Sequence, residues 1–179
     1  MKPFRIQATQ LLKEVMKEYF QEFSEPTSPV AWCTSVGPAE LLRAFGFKVY
    51  FPENHGALLG ATRTAGDYIP MAVKYGYSGD VCSYTTSDIG AYLNKKTPLQ
   101  KHYGLATIPK PDLLVYNTNQ CREVQDWFSF YAREFQCPLV GIHPPRHLGE
   151  ITSDEIHFVA QQFKRMIPIC EEVSGVSFD

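Results

Sequence analysis

Several common sequence signals of function are missing from this chain of 179 residues. No stretch approaches the roughly 18 uncharged apolar residues that a membrane-spanning helix needs, so we expect no membrane span. The formal net charge of −2 provides no basic surface for nucleic acid. The sequence also contains no GxGxxG, no P-loop GxxxxGK and no GxSxG pattern. Dinucleotide binding, P-loop ATPase activity and serine-hydrolase activity therefore lack their motifs.

Signals of export are missing as well. Residues 1–23 carry mixed charges on an amphipathic pattern and lack the apolar run and cleavage site of a signal peptide. The chain has five cysteines, an odd number that does not suit a disulfide scaffold. These features together predict a protein of the reducing cytoplasm.

Alternating apolar runs and helical periodicities predict the fold class. The run Asp112-Leu113-Leu114-Val115-Tyr116 is typical of a buried strand in a parallel sheet. Strands that alternate with helices predict a Rossmann-like, three-layer α/β domain with a mostly parallel sheet of about four strands. We expect an N-terminal helix and linker over 1–28 and the α/β domain over 29–179. The strands are predicted at 29–33, 48–51, 112–116 and 138–142.

The segments that connect these strands are predicted to include a loop, helices and an irregular stretch. Residues 52–60 are polar and glycine-bearing, which favours a loop, and 61–75 favours a helix with a break near Pro70. The segment 94–109 is predicted to be irregular. Thr152 followed by Glu155 predicts a capping box at the start of a last helix.

Three cysteines each open a polar segment just after a predicted strand or turn. They are Cys33, Cys82 and Cys121. A doubly wound fold gathers the carboxyl ends of its strands into one crevice, where converging thiolates could hold an iron–sulfur cluster. The alternative is that each cysteine is a small buried hydrophobe, which is the interpretation we give to Cys137 and Cys170.

Other polar residues follow the predicted strands. Glu53 and His55 come after the second strand and are candidate proton carriers, although such a pair can equally be a solvated loop. Ser35 precedes a predicted helix start, where free backbone N–H groups suit an anion or a polarised carbonyl. The four polar side chains of 117–120 are unusually concentrated after the clearest strand.

The order of these segments resembles the 2-hydroxyacyl-CoA dehydratase/benzoyl-CoA reductase family, and more narrowly its smaller, D-component type of subunit. The resemblance runs from residue 29 to the end of the chain. It rests on Trp-Cys-Thr-Ser, Cys-Ser-Tyr with Ser-Asp-Ile-Gly, Asn-Thr-Asn-Gln-Cys-Arg and Ile-His-Pro-Pro-Arg. It implies an oxygen-sensitive cytoplasmic enzyme of two related subunits with cysteine-ligated iron–sulfur clusters of the 4Fe-4S type. It also implies a CoA thioester substrate, ketyl radical chemistry and a separate ATP-dependent activator as electron donor.

Transferred by position, the resemblance makes Cys82 and Cys121 cluster ligands and Cys33 a third candidate. It places Ser35 and Glu53 beside the reacting thioester carbonyl. Family subunits are longer and carry a second α/β domain. The chain is therefore expected to be an N-terminal half that needs this C-terminal domain or a second related subunit.

The sequence is also compatible with a function of a different class. The same fold could serve as a non-catalytic binding or assembly module with an empty cysteine site. If the chain is a segment of such an enzyme, we expect an exposed aromatic patch around the cysteine loops, formed by Trp32, Phe51 and Tyr84. A second domain or subunit would cover the open crevice at this patch.

Overall fold

The computed structural model describes residues 4–24, 27–146 and 149–178. The helices are α1 (Phe4–Gln21), α2 (Ala39–Ala44), α3 (Pro52–Ala61), α4 (Ala65–Tyr75), α5 (Ser83–Leu93), α6 (Leu99–Tyr103), α7 (Glu123–Phe135) and α8 (Ser153–Ser174). The strands are β1 (Val30–Cys33), β2 (Lys48–Tyr50), β3 (Leu113–Asn117) and β4 (Leu139–Ile142).

The four strands form one sheet, with every pair parallel, in the order β2-β1-β3-β4. Ala31 lies opposite both Val49 and Leu113, and Val115 lies opposite Val140. From β1 the sheet grows to β2 on one side and to β3 on the other. The predicted α/β fold with a parallel sheet of about four strands and an N-terminal helix is confirmed.

Helices cover both faces of the sheet, and the alternation of β1 shows how. Val30 and Trp32 face an aromatic cluster that includes residues of α1, α5 and α7. Ala31 and Cys33 face a smaller cluster that includes residues of α2 and α8. Successive side chains of a strand point to opposite faces, so one four-residue strand contributes to both layers of the core.

The segment after β2 is a helix, and the prediction of a loop there was wrong. Pro52 occupies the first turn of α3, where its fixed φ suits a helix and its missing N–H costs little. The face that α3 buries consists of Pro52, His55, Gly56 and Leu59. Their spacing is helical, but two of the four are histidine and glycine. A hydropathy pattern therefore does not reveal this helix.

Two further connections are more regular than the sequence predicted. α4 continues through Pro70 without the expected break, and it packs along α5. The short helix α6 lies inside the segment 94–109 that was expected to be irregular. Packing of α4 against α5 supports a helix that proline alone would weaken.

The start of α8 follows the predicted capping box. The side chain of Thr152 accepts from the backbone N–H of Glu155 at 3.3 Å, and Glu155 Oε2 accepts from the N–H of Thr152 at 2.9 Å. Within the described ranges, no helix is both long enough and apolar enough to cross a membrane.

Candidate functional site

The carboxyl ends of β1 and β3 form the floor of a crevice. The sheet order places neighbours of β1 on both sides, and ligands of open α/β sheets bind at such a switch point. The backbone N–H of Asn117 donates to Thr34 Oγ1 at 3.0 Å, and its side-chain amide donates to the carbonyl of Val36 at 3.1 Å. Thr34 and Asn117 are both buried. These bonds fix the two strand ends relative to each other.

Ser35 and Glu53 meet on one side of this floor. The backbone N–H of Ser35 donates to Glu53 Oε2 at 2.8 Å. Glu53 lies in the first turn of α3, a favourable place for a carboxylate because the helix dipole is positive there. The structure therefore brings together the two residues that were predicted to lie beside the thioester. Their catalytic roles stay predictions.

Cys82 and Cys121 lie on adjoining loops, and both are exposed. Cys82 is the N-cap residue of α5, and Cys121 lies just before α7. Glu123, two residues beyond Cys121, accepts the backbone N–H of Cys82 on Oε2 at 2.8 Å. α3 reaches the same region, because a Cβ on Gly56 would lie 3.0 Å from the Cβ of Tyr84. The two cysteines and Glu53 therefore belong to neighbouring helix starts.

Cys33 has a different environment from the other two cysteines. Its side chain is fully buried in the cluster beneath α2 and α8. Burial raises the pKa of the Cys33 thiol far above its usual range, and the nearby Glu53 and Glu40 carboxylates raise it further. Metals bind the thiolate, so this environment opposes a ligand role.

The expected convergence of three thiols is not formed. Among the residues that the structure describes, no group of three or more His, Cys, Asp or Glu side chains could hold a metal ion. The physical reason lies in β1, where strand alternation turns Cys33 toward the α2 and α8 face of the sheet.

His55 lies inside the protein and does not reach solvent. Its Nδ1 lies 2.5 Å from Asp88 Oδ1, and its Nε2 lies 2.7 Å from Thr97 Oγ1. Both ring nitrogens are engaged, and the side chain is fully buried. This placement does not fit the predicted proton carrier on an open loop. It follows from the helical geometry of α3, which turns His55 toward α5.

Asp88 is the residue that sequence reasoning missed at this point. Its Oδ2 accepts from Trp127 Nε1 at 2.8 Å and from the Tyr131 hydroxyl at 2.6 Å, while Oδ1 contacts His55. One buried carboxylate thus joins α3, α5 and α7. The signal in the sequence was the spacing of Trp127 and Tyr131 by four residues, which places both on one face of a helix.

The predicted aromatic patch is only partly present. Tyr84 is 41% exposed. Phe51 is half-buried against the α2 and α8 cluster. Trp32 is fully buried, and its Nε1 donates to the carbonyl of Pro109 at 3.0 Å. Trp32 was placed wrongly because even positions of β1 face the aromatic core.

The cysteines fit part of an iron–sulfur site. Such clusters are held by cysteine thiolates, commonly four of them. Cys82 and Cys121 meet the requirements of exposure and adjoining position, whereas Cys33 does not. Among the described residues, two exposed thiols could therefore serve as ligands, and a complete cluster would need further ligands from elsewhere.

Comparison with known proteins decides the family. A family model described as 2-hydroxyglutaryl-CoA dehydratase, D-component, matches residues 34–179. The chain belongs to this family. It is 31% identical, over 99% of its length, to the (R)-2-hydroxyisocaproyl-CoA dehydratase alpha subunit of Clostridioides difficile. It is 34% identical, over 78% of its length, to a subunit of the benzoyl-CoA reductase of Thauera aromatica. The family predicted from the ordered segments is confirmed.

These relatives are longer than this chain. The chain spans 42% of the Clostridioides difficile subunit and 32% of the benzoyl-CoA reductase subunit. It also spans 38% of the (R)-phenyllactyl-CoA dehydratase alpha subunit of Clostridium sporogenes, to which it is 30% identical over 88% of its own length. It thus corresponds to less than half of each of these three subunits.

Proposed function

We propose that this chain forms the iron–sulfur segment of a 2-hydroxyacyl-CoA dehydratase or benzoyl-CoA reductase type of enzyme. The observation that carries the proposal is the pair of exposed cysteines on adjoining helix starts at the crevice. Its relatives are named as dehydratase alpha subunits and as a benzoyl-CoA reductase subunit. When bound, a 4Fe-4S cluster would supply one electron at low potential to a CoA thioester.

In this proposal each residue of the crevice has a defined task. Cys82 and Cys121 would hold the cluster through their thiolates. Glu53, partly exposed and held by the Ser35 N–H, is placed to accept or return a proton at Oε1, since Oε2 is engaged. The exposed hydroxyl of Ser35 is free to donate toward a thioester carbonyl oxygen. His55 supports α3 from within and takes no part in proton transfer.

The proposal also assigns partners and a compartment. The remaining ligands come from a second α/β domain or a second related subunit, because the described residues supply only two. An ATP-dependent activator protein donates the electron. Five free cysteines suit the reducing cytoplasm.

A reconstitution experiment tests the two ligands. The chain is incubated without oxygen with iron, sulfide and excess 2-mercaptoethanol, whose thiols can complete a ligand set, and iron, sulfide and 400-nm absorbance are measured. We expect Cys82→Ser and Cys121→Ser each to lose more than about half of the bound iron, because a hydroxyl is a poor cluster ligand.

Cys137→Ser is the matched control, because this thiol is half-buried and its pKa is raised to about 11 by burial. It should retain the wild-type iron content. Iron content that is unaffected by both Cys82→Ser and Cys121→Ser would contradict the proposed site. A folded wild-type chain that takes up no cluster at all would favour the non-catalytic binding module instead.

A further inference from the structure

The contact between the two cysteine loops is made by a carboxylate that no motif predicted. Glu123 opens α7, and Asp126 lies in the same first turn. Glu123 Oε2 reaches across to the neighbouring helix and accepts the N–H of Cys82, which is 41 residues away in the chain. We propose that Glu123 is the positioning residue that sets the distance between the Cys82 and Cys121 thiols. This inference rests on the proposed function in treating both thiols as ligands.

The bond of Glu123 is part of a polar seam between two helices. Glu123, Trp127 and Tyr131 are spaced by four residues and therefore line one face of α7. All three bond to α5 or to its N-cap, Glu123 at the Cys82 amide and the two aromatic side chains at Asp88 Oδ2. Asp88 and its donors are buried, whereas Glu123 lies at the rim. The buried bonds to Asp88 hold α5 and α7 at a fixed distance from each other. At the exposed end of the same helix pair, the bond from Glu123 holds the backbone of Cys82 close to the loop of Cys121.

Among the described residues, Glu123 is the side chain that bonds to the Cys82 backbone from another helix. Cys82 is the N-cap of α5, yet its side chain makes no capping bond. Its carbonyl accepts from the N–H and the hydroxyl of Thr86, which orients the residue within its own helix. The contact that ties its backbone to the loop of Cys121 is the one from Glu123. A bond to a carboxylate is stronger than one between neutral groups, so it suits an exposed rim.

The bond also changes what surrounds the sulfur atoms. N–H donors near cluster sulfur raise the reduction potential of a cluster. By accepting the Cys82 N–H, Glu123 keeps this donor from the thiolates, and its own negative charge disfavours an added electron. Both effects favour the low potential that the proposed chemistry requires.

Bimane cross-linking measures the separation of the thiols without any cluster. Dibromobimane alkylates two thiols and becomes strongly fluorescent only when it bridges a pair within a few Å. The reduced, iron-free chain should form a Cys82–Cys121 bridge, identified by peptide mass. In Glu123→Ala the bridging rate, relative to single alkylation of Cys82, should fall about tenfold, the size expected for loss of one bond to a charged acceptor.

Three comparisons separate positioning from general stability. Glu123→Gln keeps an amide oxygen for the Cys82 N–H and should restore bridging to within about twofold of the wild type. Asp126→Ala removes an exposed carboxylate from the same first turn and should leave bridging unchanged. Thermal unfolding of all variants checks that each is folded at the temperature used.

The outcomes are distinct from those of the iron experiment. Absence of a Cys82–Cys121 bridge in the wild type, or equal bridging in the wild type and Glu123→Ala, would overturn the positioning role. Efficient bridging that depends on Glu123, in a chain that binds no iron, would keep the positioning role and reject the proposed function.

Discussion

Asp88 shows how one buried residue can hold three helices. Its two oxygens meet donors from α3 and α7 at 2.5–2.8 Å, and the carboxylate is fully buried. Buried carboxylates are tolerated only when they are well hydrogen-bonded, and removal of the acceptor leaves its donors without partners. Asp88 should therefore contribute a large share of the free energy of unfolding in this region.

Replacement of Asp88 tests its contribution to the free energy of unfolding directly. We expect Asp88→Ala to lower the free energy of unfolding by about 3 kcal/mol or more, since three buried donors lose their acceptor. Tyr131→Phe removes a single donor and should cost only about 1 kcal/mol. Urea unfolding monitored by tryptophan fluorescence gives both values.

Asp126→Ala is the matched control for this pair, because its carboxylate is exposed on α7. Its effect should stay within about 0.5 kcal/mol. Equal losses for Asp88→Ala and Tyr131→Phe would show that the three bonds do not act as one network.

Among the helices, the approach of α4 to α5 depends on one glycine. A Cβ built on Gly90 would overlap the carbonyl oxygen of Tyr68 and lie 2.7 Å from its carbonyl carbon. The obstacle is backbone, which cannot turn aside as a flexible side chain can. Gly90 is therefore required for packing, although alanine is the better helix former.

Gly90→Ala should lower the free energy of unfolding by about 1–3 kcal/mol, because α4 and α5 must separate. Gly60→Ala provides the opposite case. Apart from its chain neighbours and the backbone of its own helix, no atom of the described residues lies within 4 Å of the Cβ position of Gly60, near the end of α3. Alanine there should therefore be neutral or should stabilise by up to about 1 kcal/mol. Thermal unfolding of both variants measures the difference, and the same sign for both would contradict the packing argument.

Across the protein as a whole, burial of ionisable side chains predicts a response to alkaline pH. Burial raises the pKa of Cys33, Tyr50 and Tyr131 well above their usual ranges. In the unfolded chain these groups lose their protons near about pH 8.5 for cysteine and about pH 10 for tyrosine. Above these pH values the folded state retains protons that the unfolded chain has lost. Their buried, protonated forms therefore contribute fully to folding stability below the pKa values of the unfolded chain, and this contribution is lost as pH rises above those values.

We expect the urea midpoint to fall progressively between about pH 8.5 and 11. Tyr50→Phe should reduce the fall above about pH 10, because one of the contributing groups is removed. The Tyr50 hydroxyl is buried without a hydrogen-bond partner in the described structure, so this variant should be as stable as the wild type at neutral pH or more stable by up to about 1 kcal/mol. A Tyr50→Phe variant with an unchanged pH profile would rule out this contribution.

Local patterns in the sequence were sufficient to predict the sheet, the helices with strong periodicity and the family. The apolar run within 112–116, which forms most of β3, and the capping box at Thr152 are local signals, since they depend on residues that are neighbours in the chain. The short segments that carry the family resemblance, including those around Cys82 and Cys121, are each local as well, and their order along the chain identified the family. Hydropathy failed at α3, because His55 and Gly56 occupy its buried face.

Tertiary packing, by contrast, selects which polar residues act together. The position of Cys33 on an odd residue of β1 directs its thiol into the buried cluster of α2 and α8, whereas its nearness to a strand end had suggested an open crevice. The partners of Asp88 and Glu123 lie on other helices, at separations of 33 to 43 residues. Contacts of this kind arise from the packing of α3, α5 and α7. A local sequence pattern shows that Trp127 and Tyr131 share one face of a helix, but it does not show which helix that face meets.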